Sequence, residues 1–259
     1  MLLALLALTA SNQATAAPTP ATELVASVKT LAPGIPFTVA LHMKLPAGWH
    51  NYYANPGESG VPTTIAWTLP PGYAAGPIQW PLPKRIVLGG APMYGYEGDL
   101  WLTSRITPSA KAKPGAPAVL KAKADWLLCA QECVPQSANL VLKLEVGAKS
   151  VGNSNAGLVA AIKQLPHRAL PWSVSASIAE KAIRLTVQAP FGNPNGVTFF
   201  PADPDSFTAD TPKFLAVNHG FQLIVPLSRY STKPPQRLTG ILSFPATGKV
   251  YWVDTPVVS

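Results

Sequence analysis

Residues 118–146 read "AVLKAKADWLLCAQECVPQSANLVLKLEV". On both sides of the centre, apolar and polar residues alternate. "AVLKAKADWLLC" (118–129) and "NLVLKLEV" (139–146) have the period of two expected of strands with one buried face. Between them lie the only two cysteines of the chain, Cys129 and Cys133, separated by Ala130-Gln131-Glu132. In one extended strand, Cα atoms four residues apart are about 13 Å distant, beyond the roughly 4.4–6.8 Å that a disulfide spans. A three-residue hairpin loop instead sets the cysteines opposite each other on the first rung, at about 4.5–5.5 Å. A single helical turn would also serve, but the flanking strand patterns and Pro135 favour the hairpin. As a staple the pair is poorly placed. Closing five residues gives about 2 kcal/mol in the chain-entropy model, against roughly 4.7 for a hundred-residue loop. Two readings stay open on these grounds: an exchangeable pair at the open end of a sandwich, or an inert hairpin clip.

The same alternation recurs along the chain. Strand-like segments fall at 37–45, 63–69 and 99–106 before the hairpin. After it they fall at 172–179, 182–189, 197–200, 221–227, 238–244 and 249–255, separated by Gly/Pro turns. Between the two series, "GNSNAGLVAAIKQLPHR" predicts a short amphipathic helix capped by Ser154 or Asn155 and stopped by Pro166. The expected fold is therefore all-β: two immunoglobulin-like antiparallel β-sandwiches joined by a short helical connector. The expected boundaries are 17–146 for the first sandwich, 147–170 for the connector and 171–259 for the second. The cysteine–tryptophan–cysteine signature of true immunoglobulin domains is absent.

Composition narrows the function. With 47% hydrophobic residues and 12% charged, the chain has ample material for packed cores and is not a disordered polymer. Its formal charge of +8 has no dense run; the nearest grouping is Lys111, Lys113, Lys121 and Lys123. Nucleic-acid binding, which needs a clustered basic stripe, is not expected. The start, "MLLALLALTASNQATAAPTP", combines an apolar run too short to span a bilayer with a small-x-small site at Ala14-Thr15-Ala16. Residues 1–16 are thus expected to be a signal peptide, though no Lys or Arg precedes the apolar run. Export would place the cysteines where disulfides persist.

Other chemistry is thin. His42, His50, His167 and His219 are scattered without metal-ligand spacing, and no metal or cofactor is expected. Glu97 and Asp99, two apart, would share a face on one strand, a weak carboxylate pair. The aromatics of "GWHNYY" (48–53) offer a stacking platform for a sugar, or simply core packing.

Four segments in order, "LPAGWHNYYANPGESGVPTTIAW", "WPLPKRI", "MYGYEGDLWL" and "CAQECVPQSANLVL", resemble the periplasmic N-terminal domain of the DsbD/ScsB family of thiol:disulfide interchange proteins. The "NPGESG" insertion and the three-residue spacing between the cysteines place the likeness in the ScsB-like branch. It covers roughly residues 20–146 and is weaker over 171–259. The resemblance implies an immunoglobulin-like redox sandwich that needs no cofactor. It implies Cys129 and Cys133 as the redox pair, with Cys133 forming mixed disulfides and Cys129 resolving them. It also implies a cap loop at Met93, Tyr94 and Gly95, with Tyr52 and Glu97 flanking the site. Met93 stands where the DsbD branch has an aromatic residue. The implied partners are a membrane-embedded DsbD/CcdA-like electron donor, or its thioredoxin-like domain, and a periplasmic thioredoxin-fold substrate protein. An exported two-sandwich binding module with a structural disulfide is the competing expectation.

Overall fold

The computed structural model describes residues 17–189, 194 and 196–258. The expected signal peptide, residues 1–16, lies outside them. The chain opens with β1 (Ala21–Ala26), β2 (Val28–Leu31), β3 (Phe37–Lys44), β4 (His50–Tyr52), β5 (Thr64–Thr68) and β6 (Ala74–Gln79). It continues through β7 (Lys84–Leu88), β8 (Ala91–Glu97), β9 (Asp99–Thr107), β10 (Pro117–Cys129) and β11 (Cys133–Val146). After β12 (Val151–Gly152), helix α1 (Ala156–Lys163) leads to β13 (Ser173–Ala179), β14 (Ala182–Gln188), β15 (Thr198–Pro201) and β16 (Lys213–Val217). The last three strands are β17 (Gly220–Pro226), β18 (Arg237–Phe244) and β19 (Lys249–Val258).

In the first sandwich a four-stranded sheet, ordered β1-β3-β9-β6, faces an eight-stranded one ordered β12-β2-β11-β10-β4-β8-β7, with β5 also paired to β10. Alternation fills the space between them. Val39, Leu41 and Met43 of β3 and Leu100 and Leu102 of β9 are buried, as are Leu120, Ala124, Trp126 and Leu128 of β10. The sheets are not wholly antiparallel: β2 runs parallel to the end of β11, and β13 parallel to the last two residues of β19.

Helix α1 is short and held from outside. The Asn155 side chain accepts a hydrogen bond from the Leu158 amide at 2.9 Å, satisfying one of the free N–H groups of the first turn. Leu158 is buried against Val25 and Ala40, with Trp101 and Ile162 alongside. At Gly157 a side chain would run into the Trp101 ring.

In the second sandwich β16-β17-β14-β13 form one wall and β15-β18-β19 the other, the two joined where the end of β19 pairs with β13. The second wall is apolar on both faces. Phe199, Leu242 and Val253 point into its own core, whereas Phe200 and Ile241 pack among Leu41, Met43, Tyr53, Tyr94 and Tyr96 of the first sandwich. The near-continuous hydrophobic run of "GILSF" follows from this double burial. The two sandwiches share an apolar core and do not hang on a free connector. Truncating Phe200 leaves a void at that shared core, a change that typically costs about 3–5 kcal/mol. For Phe200→Ala we expect a loss of that size and, in wild type, one cooperative urea transition. Tryptophan fluorescence resolving two independent transitions would show the halves to be uncoupled.

Candidate functional site

The ladder between β10 and β11 runs unbroken to Cys129 opposite Cys133. The two are joined by a disulfide with Cα atoms 4.1 Å apart. Ala130 donates to the Glu132 carbonyl within the three-residue loop, at 3.0 Å. Directly opposed residues stand on one face of a sheet, and successive residues on opposite faces. Ala124, Trp126 and Leu128 go inward, so both sulfurs lie on the outer face.

There the two cysteines differ. Cys133 is exposed, whereas Cys129 is 0% exposed, covered by Tyr52 and Met93 with Ile86 and Leu127 beside them. The Tyr52 hydroxyl donates to Cys129 Sγ at 3.2 Å and lies 3.7 Å from Cys133 Sγ. Burial raises the Tyr52 pKa, which keeps that O–H a donor. An open groove of about 360 Å³ beside the disulfide is lined by Val61, Pro62, Leu127 and Pro135 among others.

Met93, Tyr94 and Gly95, expected in a loop, lie in strand β8. The loop is the two-residue turn Gly89-Gly90, where both φ angles are positive (58° and 82°), as a tight hairpin turn requires. Pairing with β4 and β7 makes this segment a strand despite its glycine and proline content. Alternation then splits the expected cap residues. Met93 covers Cys129, while Tyr94 points the other way, packing edge-on against Phe200 at 5.0 Å and donating to the Asp210 carbonyl at 3.2 Å. Gly95 sits opposite Tyr52, where any β-carbon would overlap the Asn51 carbonyl. Glu97 ends β8 and pairs with Lys84 at 3.1 Å on the surface.

The "NPGESG" segment and residues 206–210 fasten this wall. Asn55 donates to the Phe207 carbonyl at 3.2 Å, Arg85 to the Ala209 carbonyl at 3.3 Å, and the Gly60 backbone lies so close to the Tyr52 ring that a methyl group would overlap it. The segments next to Tyr52 and Met93 are thus tied to the second sandwich.

Two weaker readings of the sequence give way to the plainer ones, a solvated edge and core packing. Glu97 and Asp99 do not share a strand face: Gly98 turns the chain, Glu97 meets Lys84, and Asp99 lies 3.3 Å from His42. The aromatics of residues 49–53 form no open platform, since Tyr52 and Tyr53 are buried. His50, in the sequence only one of four scattered histidines, belongs to the site. It is buried, directly opposite Cys129 on one side and Glu97 on the other, and edge-on to Tyr52 at 5.3 Å between centroids. The available signal was its spacing, two residues before Tyr52 and so on the same strand face.

An all-β fold with a half-covered two-cysteine site defines a class of disulfide-bearing sandwich proteins, and the comparisons supply the family. Residues 17–145 match the family model described as "Thiol:disulfide interchange protein DsbD, N-terminal". This part of the chain is a DsbD/ScsB-like N-terminal domain, and its family is one of thiol-disulfide interchange. The crystal structure of the N-terminal periplasmic domain of ScsB from Proteus mirabilis superposes with a TM-score of 0.65 at 17% identity, covering 90% of this chain and 91% of that one. At that identity the likeness speaks for the fold. The Escherichia coli chaperone DraB, at 11% identity and covering 92% of this chain and 98% of its own, reaches a TM-score of only 0.25 and carries no argument. No curated protein matches the chain. Among the described residues no helix is long and apolar enough to cross a membrane, and no cluster of three or more His, Cys, Asp or Glu side chains is placed to hold a metal ion.

Hydrogen bonds to charged groups contribute about 1.5–3 kcal/mol, or roughly one to two pKa units. In a Cys133→Ser background, where Cys129 is the sole thiol, Tyr52→Phe is expected to raise the Cys129 pKa by about that much. Thiolate absorbance against pH measures it. An unchanged titration would mean the hydroxyl does not stabilise the thiolate.

Proposed function

We propose that the protein is a periplasmic thiol-disulfide exchange module of protein-disulfide reductase type. It relays electrons from a membrane-embedded DsbD/CcdA-like donor, or that donor's thioredoxin-like domain, to an exported thioredoxin-fold oxidoreductase. The observation that carries this reading is the asymmetry of the pair: one sulfur open to a partner, the other buried under a hydroxyl donor. A structural clip needs neither feature.

In the forward half-reaction a donor thiolate attacks Cys133 Sγ in line with the S–S bond. A mixed disulfide forms at Cys133, and Cys129 departs as a thiolate whose charge the Tyr52 hydroxyl meets. The donor's second thiol then resolves the mixed disulfide, leaving the dithiol. The reduced pair runs the same steps in reverse on the disulfide of its substrate. The groove at Val61, Pro62, Leu127 and Pro135 gives an approaching partner an apolar footing beside the exposed sulfur. The β7–β8 hairpin, through Met93, keeps Cys129 from small thiols.

Cys129→Ser is expected to be trapped as a covalent adduct through Cys133 when mixed with an oxidised thioredoxin-fold protein, while Cys133→Ser gives little adduct. Non-reducing electrophoresis reads the yields, and equal or reversed yields would overturn the assignment. The wild-type pair is expected to have a reduction potential above about −300 mV, as exchangeable disulfides do. A lower potential together with no adduct from either variant would mark the pair as structural.

A further inference from the structure

A cross-strand row passes through the site. Cys133 on β11 faces Cys129 on β10, Cys129 faces His50 on β4, and His50 faces Glu97 on β8. Directly opposed residues share a face with β-carbons about 4.5–5.5 Å apart, so the four side chains stand in line on the outer face of the eight-stranded sheet. His50 is 5% exposed, and its Nε2 is buried with no hydrogen-bond partner. An orphaned buried polar atom in a native site calls for an explanation, and redox chemistry is one. Two further facts bear on it. Cys129 must gain a proton each time the pair is reduced and lose it each time the disulfide closes, yet it is sealed from solvent. The imidazole is also neutral near neutral pH, because burial lowers its pKa and the charge of Glu97 only partly opposes the shift. A neutral ring can accept a proton.

We propose that His50 is the proton carrier of the redox pair, and that Glu97 is a positioning residue acting through it. This rests on the exchange reading above. As the pair closes on a mixed disulfide, the Cys129 thiol gives its proton to His50. The thiolate's electron pair forms the Cys129–Cys133 bond, the bond between Cys133 and the partner sulfur breaks, and the partner leaves as a thiolate. Cys129 and Cys133 are oxidised together and the partner disulfide is reduced. When the disulfide is opened in the other direction, the proton given up by the attacking donor thiol passes through His50 to the departing Cys129 thiolate. The titratable groups facing the ring are Tyr52 on its own strand, Glu97 with Lys84 of β7 behind it, and the two cysteines.

The test uses the full reduced chain and oxidised glutathione, which separates two steps: capture of one glutathionyl group at Cys133 as the other half leaves, and closure by Cys129, which expels the captured group. His50→Gln is expected to leave capture unchanged and to slow closure about a hundredfold near neutral pH, the usual scale of general acid–base assistance. Its closure rate should climb with pH up to the thiol pKa, whereas wild type levels off above the lowered histidine pKa. Closure with unchanged rate and pH profile would overturn the inference. Should His50→Gln fail to fold, Glu97→Gln alters only a surface side chain. Removing its negative charge should move the lower inflection of the closure profile to lower pH, and an unmoved inflection overturns the inference equally. The exchange reading fails separately, if the wild-type protein forms no mixed disulfide with any thioredoxin-fold protein while still closing on glutathione.

Discussion

The register of the long hairpin governs everything at the site. Thirteen residues of β10 pair continuously with β11, and inward burial of Leu120, Ala124, Trp126 and Leu128 pins that register. A slip of one residue would turn those side chains to solvent and bury the sulfurs in the core. With the register fixed, the tip brings the cysteines together on the outer face, and the short loop between them adds little to fold stability. On the proposed exchange reading, stability and reactivity are separated along one hairpin: the core end holds the fold, and the tip is left free to open.

The unequal treatment of the two sulfurs is the work of strands from elsewhere in the chain. A single rung joins β4 to β10, enough to set His50 and Tyr52 beside Cys129. Met93 arrives from β8, one strand further out. None of these is rigid by local structure, since β4 has three residues and β8 follows a diglycine turn. Their backing comes from residues 206–210 and from Phe200 and Ile241 of the second sandwich, which fill the reverse side of the same wall. Because polar contacts there go mainly to backbone carbonyls, their geometry depends on the fold of the second sandwich more than on the side chains it displays.

The surface ion pairs contribute less. Arg229 to Glu58 links the sandwiches at 3.0 Å, but both side chains are well exposed, and such pairs add at most about 1 kcal/mol. The apolar contacts of Phe200 with Tyr94 and Tyr53, out of water's reach, hold the halves together.

By itself the sequence determined the features that rest on local pattern. Alternation gave the strands at 37–44, 64–68 and 99–107 and both arms of the hairpin. The three-residue spacing put Cys129 opposite Cys133, and Ser154-Asn155 marked the start of the helix, with Asn155 the cap. The quoted motifs led to the thiol:disulfide interchange family. Strands β4, β7 and β8 were not legible, because "HNYYANPGESG" and "LGGAPMYGYEG" carry turn residues and aromatics and become strands only by pairing with neighbours far along the chain. For the same reason Met93 and Tyr94, adjacent in a motif, look toward opposite sides of a sheet. The tertiary structure alone decided that Cys129 is buried while Cys133 is not, that His50 stands in line with them, and that Phe200 seals the first sandwich. Each depends on which backbones lie side by side, and a period of two along one strand carries no information about its neighbour.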